Sequence, residues 1–513
     1  MSIRNLDAMF APKSVALIGG SAREHSVGNV LFLNLASAGF RGPVWVVNPR
    51  GGRLGASDSY PDIASLPDAP DLAVIATPAQ TIPGIIDELG RRGTKAAIII
   101  TAGFREMGAE GRALQTRLLE AAKPYLMRIV GPNCLGIMVP GVGLNAAFTH
   151  IAPLAGDIAF VSQSGAIVTA IIDWATSRQI GFSHVVSLGT MADVDFGDML
   201  DYLAQDTNTR GILLYIESIP DARKFMSAGR QAARLKPVIV IKAGRHREGA
   251  RAAASHTGAL AGSDAVFHAA FRRAGMLRVF GMEELFDATE TLSTRPERKP
   301  LAGDRLGILT NGGGVGVLTT DFLIDAGAHL AELAAETVAR LDAVLPRTWS
   351  RDNPVDIRGD ATAERYARAM EILLQDPNTD AILAMNCPTA VIDNVEAAQA
   401  VIVAAKKSSK PVFTAWLGDQ GAHAARRIFQ NEKIPTYDGG LQAVHGFMHR
   451  VHFMRNQKLL MEIPPAAPAW PESDRAVARA LAERARWLKI ASGWTSPKPR
   501  RCSRPMACRW SKP

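Results

Sequence analysis

Three successive stretches of the chain repeat one pattern: a short β-branched apolar run, a turn of Gly, Ser, Asn or Pro, then a longer segment with helix-period apolar positions. Unbroken apolar runs of about four to eight residues between turn signals read as buried strands, and 3.6-residue periodicity reads as helix, so the alternation predicts α/β domains with doubly wound parallel sheets. In the first stretch the predicted strands are Val15–Ile18, Val44–Val47, Leu72–Ala76, Ala96–Ile100 and Arg128–Val130. Each ends in a turn, at Gly19-Gly20-Ser21, Asn48-Pro49-Arg50, Thr77-Pro78, Thr101-Ala102-Gly103 and Gly131-Pro132-Asn133. A ligand of an open α/β sheet sits outside the carboxyl ends of the strands, so these turns are expected to form one rim. The second stretch opens with Asp157–Val161 and adds strands near His184–Val186, Ile212–Ile216 and Val238–Ile241. A long polar loop from Ala243 to Asp264 follows, and the charged, Pro-bounded segment Ser293 to Pro300 reads as a linker. The third opens with Leu306–Leu309, continues through Ile382–Met385 and Val412–Ala415, and stops before the Pro-rich run from Ile463 to Pro468.

These signals divide the chain into units at 1–150, 151–298 and 301–462. Segment 469–490 is expected to be helical, with Ser473 or Asp474 as its cap, and 491–513 to be a disordered basic tail. The formal net charge is +9, but that tail holds six cations and no acid, so the remaining body carries only three net positive charges. A body so near neutrality offers no stripe for a phosphodiester backbone, and no nucleic-acid partner is expected. No apolar run is long enough to cross a membrane and no cleavable leader precedes Val15, so no membrane partner and a cytoplasmic location are expected. The four cysteines, Cys134, Cys387, Cys502 and Cys508, fit neither a disulfide framework nor a zinc site, and no metal is expected.

Chemistry concentrates at three Gly-rich strand-to-helix junctions, where unpaired N–H groups and the positive end of a helix dipole receive anions. Gly19-Gly20-Ser21, with Gly28 beyond it, is not a strict dinucleotide fingerprint and is open to a plain βα-turn reading. Ser162-Gln163-Ser164-Gly165-Ala166 has serine where a hydrolase nucleophile elbow needs glycine, so it reads as a phosphate-binding turn. Thr310-Asn311-Gly312-Gly313-Gly314 lacks the Gly-Lys-Ser/Thr of a P-loop but lets the backbone approach an anion closely. Between these two phosphate turns lies His256 in a loop of small residues that leaves the imidazole accessible, which suits a nucleophile that accepts a phosphoryl group and passes it on. Glu217, at the end of a predicted strand, is placed either to orient that imidazole or to cap a helix.

The run Ser255-His256-Thr257-Gly258-Ala259-Leu260-Ala261-Gly262 resembles the phosphohistidine loop of the NDP-forming acyl-CoA synthetases, the superfamily of ADP-forming acetyl-CoA synthetase and succinyl-CoA synthetase. The turns above, Gly131-Pro132-Asn133-Cys134-Leu135-Gly136, Tyr215-Ile216-Glu217 and Asn353-Pro354-Val355-Asp356-Ile357 follow in that family's order, over about residues 5–460. The resemblance implies a CoA-binding Rossmann-like domain followed by two flavodoxin-like ligase domains. It places Gly20, Ser21, Arg50, Thr101, Ala102 and Asn133 at the CoA site. It further implies that Ser162, Ser164, Gly165, Gly312, Gly313 and Gly314 grip the phosphate, that His256 is phosphorylated and that Glu217 orients it. The implied reaction converts acyl-CoA, phosphate and NDP to acid, CoA and NTP, with a small acyl-CoA or carboxylic acid as substrate. In single-chain members an ATP-grasp module bearing the nucleotide (ADP/ATP) and Mg²⁺ follows the third domain, and segment 469–490 resembles only the helix leading into it. The implication is an oligomer with a separate ATP-grasp β-type subunit, or a truncated chain performing half the chemistry. The alternative is a non-catalytic regulatory protein that binds CoA or acyl-CoA.

Overall fold

Short apolar runs flanked by helices on both faces bury most residues of a parallel strand, and such strands make up the greater part of three sheets among the described residues. A computed structural model describes residues 3–55, 57–251, 263–293 and 301–462, together with 476–477, 479–481 and 483–484. The loop around His256, the linker at 294–300, the Pro-rich run and the tail 491–513 lie outside the described residues. The chain divides into Met1–Met461 and Glu462–Pro513; in the second part the described residues, within 476–484, are helical.

The first sheet comprises β1 (Val15–Ile18), β2 (Val44–Val47), β5 (Leu72–Ile75), β6 (Ala96–Ile99) and β7 (Arg128–Val130), with a small ribbon of β3 (Arg53–Leu54) and β4 (Ser57–Asp58) beside it. Its order is β2-β1-β5-β6-β7 and every pairing is parallel, so all five turns emerge on one edge. The winding direction reverses between β1 and β5, the switch point at which such sheets open a ligand crevice.

The second sheet contains β8 (Gly136–Val139), β9 (Leu144–Ala147), β10 (Ala155–Ser162), β11 (Phe182–Ser187), β12 (Gly211–Ile216), β13 (Val238–Lys242) and β14 (Leu277–Val279), in the order β14-β13-β12-β10-β11-β8-β9. The β8–β9 hairpin falls on the first-unit side of a boundary at 150, yet it pairs antiparallel with β11, Val185 opposite Met138 and Val186 opposite Ile137. The chain therefore leaves the first sheet after Val130 and enters the second at Gly136.

The third sheet holds β15 (Arg305–Thr310), β16 (His329–Leu330), β17 (Val355–Asp356), β18 (Ala381–Asn386), β19 (Val412–Trp416) and β20 (Thr436–Tyr437), in the order β16-β15-β18-β19-β20 with β17 at the end of β15. The long helix Gly440–Met461 ties the second and third sheets together. Phe447 packs edge-on against Phe413 of β19, while Asn456 and Gln457 donate to Met276 O at 2.7 Å and Gly275 O at 2.9 Å. No helix of the described residues is long and apolar enough to cross a membrane.

Candidate functional site

The turns of the first rim are joined to one another by hydrogen bonds. Gly19, at φ 95° in a region glycine alone enters cheaply, donates from its N–H to Val47 O, and Asn48 Nδ2 donates to Gly20 O at 3.1 Å. Thr101 Oγ1 donates to Thr77 O at 2.7 Å, and Asn133 N–H donates to Thr101 O at 3.0 Å. Gly20 is buried within this frame, where a Cβ would lie 2.3 Å from Val46 Cγ1, so it shapes the turn. Ser21 and Thr101 are partly accessible, and Arg50, Ala102 and Asn133 are exposed. Five of the six residues expected at a CoA site thus face solvent along one edge, with the Arg50 cation among them.

The two expected phosphate turns have the same construction. Ser162 ends β10 and Thr310 ends β15; each hydroxyl accepts the N–H two residues on and donates to the carbonyl of that same residue. The next side chain reaches the neighbouring strand end: Gln163 Oε1 accepts Glu217 N–H at 2.6 Å after β12, and Asn311 Oδ1 accepts Cys387 N–H at 2.7 Å after β18. Helices then start at Gly165 and Gly313, the first capped by Ser164. The first-turn N–H groups of both helices lack intrahelical partners by geometry, which makes each start a place for an anion. Ser162 is fully buried and its hydroxyl is used inside the turn rather than aimed out of it. The Gly313 start already has a carboxylate nearby: a Cβ there would lie 2.8 Å from Asp356 Oδ2, and Asp356 pairs with Arg358 at 3.3 Å. The turns belong to different sheets, and among the described residues no hydrogen bond joins them.

Glu217 follows β12 and is only 9% exposed. Ile216 pairs in register with Lys242, so the carboxylate and a nearly buried ammonium occupy adjacent strand ends. Burial lowers the pKa of Lys242, opposed by the negative charges of Asp264 and Glu217. Lys242 Nζ lies 4.7 Å from the Phe267 ring centroid. Asp264 pairs with the buried Arg278 at 2.5 Å; burial pushes its carboxyl up, but Arg278 and Lys242 outweigh this and hold it below the usual range. His256 itself lies outside the described residues, which resume at Ser263, directly before Asp264.

Lys242, Asp264 and Arg278 were not expected from the sequence, although a lysine directly ending the apolar run Val238–Ile241 was a visible signal. The shared Ser/Thr-Gln/Asn-x-Gly pattern of the two turns was a second one. Among the described residues, no group of three His, Cys, Asp or Glu side chains is placed to hold a metal ion.

Residues 13–140 match the model of a CoA binding domain, 155–292 that of a succinyl-CoA ligase like flavodoxin domain, and 306–465 that of a Ligase-CoA domain. Fold and turns therefore define a CoA-ligase core of three α/β sheets. Acetate–CoA ligase [ADP-forming] I of Archaeoglobus fulgidus is 41% identical over 439 residues, 86% of this chain and 62% of that protein. Acetate–CoA ligase [ADP-forming] I subunit alpha of Pyrococcus furiosus is 40% identical over 439 residues, 84% of this chain and 94% of that subunit. A solved structure of dinucleotide forming acetyl-coenzyme A synthetase 1 from Ca. Korarchaeum cryptofilum, in complex with phosphate and ADP, superposes with a TM-score of 0.81 at 36% identity, covering 90% of this chain and 99% of that one. The chain belongs to the ADP-forming acetate–CoA ligase family. It spans under two thirds of the Archaeoglobus protein and nearly all of the Pyrococcus alpha subunit.

Proposed function

We propose that the chain is the CoA-binding and phosphohistidine-carrying part of an NDP-forming acyl-CoA synthetase, interconverting acyl-CoA, phosphate and NDP with acid, CoA and NTP. The observation that carries this reading is the approach of the rim to the first phosphate turn: Leu135, two residues after Asn133, has its Cβ 3.3 Å from the Cβ position of Gly165. A thioester held along Ser21, Arg50, Thr101, Ala102 and Asn133 would present its carbonyl to a phosphate at Gly165. A phosphate oxygen attacks the carbonyl carbon, the C–S bond breaks, and the phosphate proton leaves on the CoA thiol. Neutral His256 then attacks phosphorus, the carboxylate departs, and the imidazolium so formed keeps its second ring proton toward Glu217. Helix-start N–H groups at Gly165, Gly313 and Gly314 would carry the phosphoryl charge, with Ser164 beside them and Gly312 shaping the second turn.

Transfer from phospho-His256 to NDP needs an ATP-grasp partner holding nucleotide and Mg²⁺; the alpha-subunit naming of the Pyrococcus relative supports this division, and the phosphate and ADP bound by the solved relative support these two as reactants. A CoA-sensing regulator has no use for two anion-binding turns. The test is to incubate the purified chain with acetyl-CoA and labelled phosphate: an acid-labile, base-stable adduct supports the proposal, and its absence refutes it.

A further inference from the structure

The CoA rim and the Gly165 turn belong to different sheets, and besides the chain segment 131–135 a strap after β11 bridges them. Ser187 ends β11, is fully buried, and its Oγ accepts Leu135 N–H at 3.0 Å, 3.9 Å from the Cβ position of Gly165. The next residue turns to the phosphate side, Leu188 N–H donating to Ser162 O at 2.8 Å. The following residues turn to the rim: Thr190 N–H donates to Pro132 O at 3.0 Å, Ala192 N–H to Gly131 O at 3.0 Å and Val194 N–H to Ile129 O at 3.0 Å. Thr190 Oγ1 adds a second bond to Pro132 O at 3.3 Å. Gly189, at φ 57°, lets the strap touch the rim backbone, since a Cβ there would lie 2.2 Å from Pro132 O and 2.4 Å from Asn133 O. At the far end the Asp193 carboxylate accepts from Arg128 Nε at 2.9 Å and Ile129 N–H at 2.8 Å.

We infer that Ser187, with the strap Leu188–Val194 that it begins, is a positioning residue that fixes the thioester carbon against the phosphate for acyl transfer between sulfur and oxygen. The inference rests on the function proposed above. It adds a division of labour: the strap acts only on the first chemical step. In that step the carbonyl carbon bonds to a phosphate oxygen and the C–S bond breaks, so two ligands on separate sheets must come within about 3.5 Å, and a displacement of about 1 Å can cost on the order of 100-fold in rate. The second step, attack of His256 on an acyl phosphate already at the Gly165 turn, needs nothing from the rim. Ser187→Ala leaves the Leu135 N–H without its acceptor in a buried place, and the rim turn shifts to recover a partner.

The experiment compares two phosphoryl donors on the full chain, reading the phosphate adduct by intact-mass spectrometry against time. One arm supplies acetyl-CoA with inorganic phosphate; the other supplies acetyl phosphate without CoA. For Ser187→Ala the first arm should slow by roughly 10- to 100-fold while the second stays within about twofold of wild type, CoA affinity being retained. Thr190→Val, which deletes a hydroxyl on the partly accessible part of the same strap, should slow the first arm in the same selective way by a smaller factor, and carries the test should Ser187→Ala not fold. Equal slowing of both arms, or slowing of neither, overturns the inference while leaving the proposed function standing. A wild-type chain that takes phosphate from neither donor overturns the proposed function and the inference with it.

Discussion

Gly28 is the second residue of the helix Val27–Ser37, a position where intrinsic propensity favours alanine over glycine by about 1 kcal/mol. The packing of the first rim reverses that sign. A Cβ on Gly28 would lie 2.2 Å from Gly19 O and 3.2 Å from Ser21 N, both backbone atoms of the β1 turn that cannot rotate away. Restoring contact requires the helix and the turn to part by roughly 1 Å, and overpacking of this kind costs about 1–3 kcal/mol. Set against the propensity gain, Gly28→Ala should lower stability by about 0–2 kcal/mol, and displacement of Gly20 and Ser21 should weaken CoA binding by about tenfold or more. Gly84→Ala is the control: it lies in the helix Ile82–Arg92, with nothing within 4 Å of its Cβ position. Calorimetric titration with CoA and thermal melts of both variants supply the comparison. If Gly28→Ala binds CoA within twofold of wild type and melts no lower than Gly84→Ala, the close helix–turn approach does not hold the rim.

Glu217→Gln should slow phosphate-adduct formation by about 100-fold without abolishing it, because an amide accepts the imidazole N–H but cannot offset the imidazolium charge; quenched-flow mass spectrometry showing an unchanged rate would count against that role. The contact between the helix Met282–Ser293 and β20 should depend on pH. Burial, then repulsion from Asp438, Glu283 and Glu284 against weak help from Arg178, raises Asp287 to about 7; burial, partly relieved by the Thr436 N–H and added to by Asp287 and Asp438, raises Glu290 to about 7. Both carboxyls bind protons more tightly folded than unfolded, so their contribution to stability is complete below about pH 4 and is lost as pH rises through about 7. Asp287→Asn with Glu290→Gln should therefore raise the melting temperature relative to wild type more at pH 8 than at pH 5, and an equal difference at both values would refute the assignment.

Strand positions were legible because parallel strands buried on both faces are written as continuous apolar runs: β1, β2 and β13 begin where the runs begin. The hairpin β8–β9 was missed although Pro140 to Gly143 is a turn signal between Gly136-Ile137-Met138-Val139 and Leu144-Asn145-Ala146-Ala147. Its membership of the second sheet depends on pairing with β11, where Val185 lies opposite Met138 and Val186 opposite Ile137, and local pattern carries no such long-range register information. The two-residue strands β16, β17 and β20 are too short for any periodicity. At the site, the turns that end β10 and β15 were legible as turns because Gly, Ser and Asn after an apolar run are strong turn signals. The strap from Ser187 to Val194 was not, because three of its bonds to the rim come from main-chain N–H groups that any sequence possesses, and nothing local marks the Ser187 hydroxyl as the acceptor of the Leu135 N–H, 52 residues away. Sequence cannot tell a hydroxyl bonded inside a turn, as that of Ser162 is, from one aimed out of it.

The central claim is that a phosphoryl group taken from acyl-CoA and phosphate rests on His256. Intact-mass spectrometry of the wild-type chain and His256→Ala, each incubated with acetyl-CoA and inorganic phosphate, tests it directly. The account predicts one acid-labile phosphate adduct on the wild type, none on His256→Ala, and equal CoA affinity in both. An adduct retained by His256→Ala would contradict it and place the nucleophile elsewhere.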